Sequence, residues 1–186
     1  MRLTELVHHT LNDYVREGDL AIDATAGNGH DTSYLASRVG ESGKVIAIDI
    51  QESAIESTRS LLSEKALFDR VTLLAGDHSM ILEQLLEEYK ESVATAVFNL
   101  GYLPGSDKSV KTEATNTIQA LDASAMLLRP SGILCITAYR AHLGGGEEAA
   151  WVKEWMASKE SSGWQIESHV PVSSNLPPVL WLARKP

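Results

Sequence analysis

One stretch constrains this chain more than any other. A short apolar run, Leu20–Asp23, ends in an acid and passes directly into Ala-Thr-Ala-Gly27-Asn28-Gly29. A helical pattern, His30–Val39, follows, and then a second apolar run, Val45–Asp49, also ending in an acid. Glycines let the backbone turn sharply and let a ligand come close, and the helix after such a turn presents unpaired N–H groups. The arrangement is that of a nucleotide-binding βαβ unit. It departs from the dinucleotide fingerprint Gly-x-Gly-x-x-Gly, because Thr32 stands where the third glycine belongs. Asp31, in the first turn of the helix, would repel a pyrophosphate but suits an ammonium group. The turn therefore points away from NAD and toward S-adenosylmethionine, a nucleoside that carries an amino acid.

Asp49 lies about 20 residues beyond the glycine turn, where an acidic side chain meets ribose hydroxyls. Taken locally, it serves equally well as a solvated strand end or as a cap for the helix that follows. Gln51 either adds a polar contact or faces water. A third strand, Val71–Ala75, leads into Gly76-Asp77-His78-Ser79. Asp77 there could meet an adenine amino group, or it could cap the next helix. On these residues the expected cofactor contacts are Asp23, Gly29, Asp31, Thr32, Asp49, Gln51 and Asp77, and no metal site is expected.

The remaining elements extend the alternation. Further strands are expected over Ala94–Asn99 and Gly132–Ala138, and helices over Leu3–Arg16, Gln51–Lys65, Ser79–Tyr89, Thr112–Leu128 and Glu147–Ser161. Pro130 is expected to close the fifth of these helices. Strands alternating with helices predict parallel βαβ units with right-handed crossovers. The tail departs from this rhythm. Trp164–Val170 and Val179–Lys185 read as strands with no room for a helix between them, so they should pair antiparallel. The expected fold is α/β: a Rossmann-like, mostly parallel seven-stranded sheet with a C-terminal antiparallel hairpin and helices on both faces, resembling class I methyltransferases. One domain is expected to span residues 1–186.

Composition narrows the setting. A chain of 186 residues with 44% hydrophobic content is sufficient for one sizeable core. Cys135 is the only cysteine and sits in an apolar run, so it reads as a buried spacer and no internal disulfide can form. No signal-peptide pattern and no membrane-spanning stretch is evident, and a cytoplasmic location is expected. The net charge of -9 disfavours generic nucleic-acid binding, which relies on neutralising phosphates. A nucleic-acid partner would need a local basic patch, for which Lys108, Lys111, Arg140 and Arg129 at the carboxyl edge of the sheet are the candidates. Trp151, Trp155 and Trp164 either mark the interface of a homodimer or pack the last helix on the sheet, with packing favoured.

The chemistry is expected after the fourth and fifth strands. Asn99-Leu-Gly-Tyr102 resembles the Asn/Asp-Pro-Pro-Tyr loop of amino methyltransferases, with Leu-Gly in place of Pro-Pro. In such a loop an amide oxygen can orient a substrate amine and an aromatic ring can stack on a base. The alternative is a turn with a buried tyrosine. After the fifth strand, Tyr139-Arg140-Ala141-His142 places Tyr139 and Arg140 where a substrate would lie, and His142 could accept a proton. Glu147 and Glu148 suit the N-terminus of a helix. His8, His9 and His169 have no partner evident in sequence.

Ile22–Thr32, Asn99–Gly105 with Asp107-Lys108, and Gly144–Glu148 together resemble one bacterial family over nearly the whole chain. It is known as the rRNA methylases and is associated with the tRNA 5-(aminomethyl)-2-thiouridine methyltransferase. The resemblance implies S-adenosylmethionine-dependent methylation of that aminomethyl group at the wobble position, and hence a small footprint on a tRNA anticodon loop. It implies that Asn28, Asp31, Asp49, Gln51 and His78 line the cofactor and that Asn99 and Tyr102 lie by the transferred methyl. Tyr139-Arg-Ala-His-Leu-Gly-Gly145 replaces the family's Tyr-His-Gly-His-Pro-Gly-Gly. Two other readings stay open: methylation of rRNA or of a small-molecule amine, and a non-catalytic nucleotide-binding module.

Overall fold

A computed structural model of the chain describes residues 2–101, 114–141, 144–172 and 176–186. Its strands are β1 (Leu20–Asp23), β2 (Lys44–Asp49), β3 (Val71–Ala75), β4 (Val93–Leu100), β5 (Leu128–Ala138), β6 (Gln165–His169) and β7 (Val179–Arg184). Its helices are α1 (Leu3–Tyr14), α2 (His30–Val39), α3 (Glu52–Glu64), α4 (His78–Tyr89), α5 (Ala114–Leu127) and α6 (Gly145–Ser161), with a short 3-10 turn over Phe68–Arg70. The strands form a single seven-stranded sheet in the order β3-β2-β1-β4-β5-β7-β6. The first five run parallel, and β7 pairs antiparallel with both β5 and β6. This is the expected mostly parallel sheet ending in an antiparallel hairpin.

The central strands are apolar almost without interruption because both of their faces are covered. In β5, Ile133 and Cys135 face one layer, and Leu134 and Ile136 face the other. The first layer is built by Val7 and Leu11 of α1, Leu35 and Val39 of α2, and Leu62 of α3. The second is built by Leu82 of α4, Leu121 of α5, and Val152, Trp155 and Met156 of α6. Cys135 is buried, and burial raises its thiol pKa, as suits a spacer in the core. Trp155 and Trp164 are buried edge to face, and Trp155 donates its indole N–H to Asp122; Trp151 remains 47% exposed. No helix among the described residues is long and apolar enough to cross a membrane.

One boundary differs for a clear reason. Pro130 is expected to close the fifth helix at Leu128 and the strand to start at Gly132, yet α5 ends at Leu127 and β5 begins at Leu128 and runs through the proline. The pairing with β4 shifts register between Val93 and Thr95, and Ser131 adopts φ 61. A proline is tolerated at such a bulge because no ladder N–H is required of it there. Residues 112 and 113, expected to open the fifth helix, lie outside the described residues.

The strand order fixes the position of the functional site. From β1 the chain moves outward through β2 and β3, then returns to place β4 on the other side of β1. Open α/β sheets bind ligands at the carboxyl ends of the strands beside such a reversal. Here those ends carry Asp23, Asp49 and Asn99.

Candidate functional site

The glycine turn is stitched to the sheet by its own backbone. Ala24 N–H donates to Val97 O, Ala26 N–H to Ile48 O, and Gly29 N–H to Ala26 O. Gly29 closes the turn at φ 80 and forms the N-cap of α2. A Cβ at this position would lie 2.9 Å from the Thr58 Cα, so α3 can approach only a glycine. Thr58 completes the contact by donating its hydroxyl to Gly27 O at 3.1 Å.

Two acids shape the turn from below. Asp49 accepts the Gly27 N–H through Oδ2 and the Gln51 N–H through Oδ1, both at 2.9 Å. Asp23 is fully buried and accepts the Thr32 hydroxyl at 2.6 Å and the Thr25 N–H at 3.2 Å. Thr32 is fully buried as well. These two residues, expected as cofactor contacts, hold the turn from within the core. Asn28 is exposed at the tip of the turn, and Gln51 and Asp31 are partly exposed.

Burial, and next the charge of Asp31, push the Asp23 carboxyl up to about 7. A folded-state value above the unfolded one adds stability that is complete at low pH and is lost as pH rises through the folded value. Denaturant titrations between pH 4 and 7 should therefore show the parent protein losing stability relative to Asp23→Asn, by a few kcal/mol in order of magnitude. Parallel curves for the two proteins would refute an ionising Asp23.

Asp31 links three elements. Its Oδ1 lies 2.7 Å from His8 Nε2 of α1, and its Oδ2 accepts the Asn99 side-chain N–H of β4 at 2.8 Å. Asn99 is also held through its main chain, whose N–H donates to Thr25 Oγ1 at 2.6 Å. Because the amide nitrogen faces the carboxylate, the amide carbonyl oxygen faces away from it as an acceptor. Tyr139, just beyond β5, is 44% exposed; burial, and secondarily the Asp31 charge, raise its phenol pKa and keep it protonated.

Asp77 caps α4, as the alternative reading had it. It accepts both the N–H and the hydroxyl of Ser79, at 2.8 and 2.6 Å, and its other oxygen accepts the Asn116 amide at 2.6 Å. Partial burial would raise its carboxyl pKa, but the Ser79 and Asn116 donors hold it below the ordinary value. Burial pushes the His78 imidazole down despite Asp77, favouring the neutral ring, which meets Phe98 edge to face. Thr25, His8 and Asn116 were not evident in sequence, since each bonds a residue far away along the chain.

Two expectations about charge are corrected. Arg129 was expected at the carboxyl edge of the sheet but lies at the start of β5, the opposite end. There its guanidinium grips Asp19 with bonds of 2.6 and 3.0 Å and also donates to Tyr14 O. Glu148 does sit in the first turn of α6, yet it is buried and accepts the Thr117 hydroxyl at 2.6 Å, so it is more than a solvated partner of the helix dipole. Arg140 is partly buried and donates from Nε to Pro177 O. Tyr102, Lys108, Lys111 and His142 lie outside the described residues.

The donor set suits a cationic nucleoside. Asp31 in the first turn of α2 and Asp49 at the end of β2 are partly exposed carboxylates, and Asn28 and Gln51 flank them with amides. The sheet order and this site define a class I methyltransferase that depends on S-adenosylmethionine, in agreement with solved relatives. The chain belongs to the rRNA methylase family, whose sequence profile matches residues 45–184. It is 36% identical over 96% of its length to the chloroplastic tRNA (mnm(5)s(2)U34)-methyltransferase of Arabidopsis thaliana, covering 68% of that protein. A protein of the family's description from Clostridium thermocellum shares the structure with a TM-score of 0.91 at 36% identity, covering 98% of this chain and 97% of the other. SMU.1697c of Streptococcus mutans, solved in complex with S-adenosylhomocysteine, aligns with a TM-score of 0.87 at 31% identity, over 100% of this chain and 99% of that one.

Proposed function

We propose that the protein methylates the primary amine of 5-aminomethyl-2-thiouridine at the wobble position of tRNA. The observation that carries this reading is the Asn99 amide, whose nitrogen is committed to Asp31 and whose oxygen is thereby presented as an acceptor. An amide oxygen in that role accepts a hydrogen from a neutral amine and aims the nitrogen lone pair at the methyl group. The bound cofactor supplies an already activated methyl on a sulfonium. Asp31 and Asp49, with Asn28, Gln51 and His78, hold the cofactor, while Asp23 and Thr32 keep the turn in shape. Methylation of the amine would displace the thioether and leave one extra proton on the product nitrogen, which a group of the chain or water would have to accept. His142 is the candidate to accept it, and Tyr102, Lys108, Tyr139 and Arg140 are the candidates to meet the substrate.

The substrate assignment also draws on the Arabidopsis relative's name. The net charge of -9 fits a small footprint on the anticodon loop better than extensive phosphate contacts. With Arg129 at the far end of the sheet and Arg140 bonded to Pro177, affinity is expected to depend on the aminomethyl group and its unstacked base. The test is incubation with S-adenosylmethionine and tRNA carrying 5-aminomethyl-2-thiouridine, followed by nucleoside mass spectrometry. The expected product is the methylaminomethyl nucleoside. No product at saturating cofactor, with activity on rRNA or on free amines instead, would overturn the assignment.

A further inference from the structure

His8 lies on α1, outside the βαβ unit and the loop after β4, and the site as read from sequence makes no use of it. Its Nε2 meets Asp31 Oδ1 at 2.7 Å, and the other oxygen of the same carboxylate takes the Asn99 amide at 2.8 Å. The ring is held on its other side. It stacks on Tyr34 of α2 with centroids 3.8 Å apart and planes within 3° of parallel. The Tyr34 hydroxyl in turn donates to the His8 carbonyl and lies 2.9 Å from the Asn12 side-chain amide. Asp31 and His8 are only partly exposed, at 13% and 25% of their side chains.

We infer that His8 is a positioning residue for methyl transfer, acting through Asp31 to hold the Asn99 amide in the orientation that presents its oxygen to the acceptor amine. The reasoning is geometric. A carboxylate held only at Asn99 can rotate about its χ angles, and the amide rotates with it. A second donor on the other oxygen removes that freedom, so the amide keeps a single orientation. Supporting hydrogen bonds of this kind are what hold reacting groups within the narrow tolerance that rate enhancement requires. This inference rests on the amine-methylating reading of Asn99, and its first measurement is independent of that reading.

In the cofactor-free protein, the Asn99 side-chain amide should give two separated, slowly exchanging proton resonances, identified by their loss in Asn99→Ala. His8→Phe keeps the stack on Tyr34 and the packing of α1 but removes the N–H, and it should move those resonances toward the positions of a freely exchanging amide. His8→Gln, which returns a donor, should restore them. With aminomethylated tRNA and saturating cofactor, His8→Phe should lower kcat about tenfold or more, leaving the KM for tRNA within about threefold. His8→Gln should recover most of the lost kcat. Should His8→Phe fail to fold, His8→Leu takes its place with the same expectations. Unchanged Asn99 resonances, or a kcat within twofold of the parent, would overturn the inference. An inactive parent protein whose Asn99 resonances still respond to His8 would overturn the substrate assignment alone.

Discussion

Replacing Gly29 with alanine is expected to remove about 3 kcal/mol of stability and most of the affinity for S-adenosylhomocysteine. Two costs combine at this position. The backbone sits at φ 80, where a side chain is strained whatever the space, and the added Cβ would meet the Thr58 Cα at 2.9 Å. That neighbour is backbone, so no rotamer change relieves the contact and α3 itself would have to shift. The shift would pull Thr58 off Gly27 O and displace the turn that Asp49 holds through Gly27 N–H. Urea denaturation with calorimetric titration of S-adenosylhomocysteine measures both effects. A Gly29→Ala protein of unchanged midpoint and affinity would show that the turn has slack that this geometry denies. Alanine at Gly146, where an added Cβ meets nothing within 4 Å, is the matching control and should cost far less.

Asn99→Ala should have the opposite signature: turnover lower by about a hundredfold, with cofactor binding nearly intact. The substitution removes the amide but keeps the main-chain N–H that donates to Thr25, so the end of β4 stays in place. Asp31 keeps His8 and loses only one of its two donors. Asn99→Asp should not rescue activity despite its matching shape, because it would set a carboxylate against the Asp31 carboxylate across a gap of 2.8 Å. Single-turnover kinetics alongside binding of S-adenosylhomocysteine separates the two effects. Turnover within threefold of the parent for Asn99→Ala would remove the amide from the reaction.

Much of the sheet was legible in sequence for one reason. In a parallel sheet covered on both faces, strands are nearly unbroken apolar runs, and three of the runs here stop at Asp23, Asp49 and Asn99, where the ligand side begins. Thus Leu20–Asp23 and Val71–Ala75 carry the same bounds in sequence and structure. Pro130 misled because a proline after a helical pattern signals the end of the helix, and only the partner strand reveals a bulge. The site was legible as a set of strand ends but not as a network. Sequence shows that Asp23, Thr32, Asp31 and Asn99 are polar; it does not show that the first two face each other inside the core while the last two meet over a gap of 68 residues. His8 was missed for the same reason, since its partner lies 23 residues away on another helix. Arg129 looked like a cation available to nucleic acid because its acidic partner, Asp19, is 110 residues upstream.

The two bonds of Asp49 have a consequence for engineering the chain. One oxygen fixes the turn after β1 and the other fixes the start of the segment after β2, so one carboxylate sets the shape of two loops whose sequences never touch. Neither loop is a portable module. A designer who transplants the Ala-Thr-Ala-Gly27-Asn28-Gly29 turn into another sheet must carry along the acid 22 residues downstream of Gly27, or the Gly27 N–H loses its acceptor and the turn its reason to hold that curve.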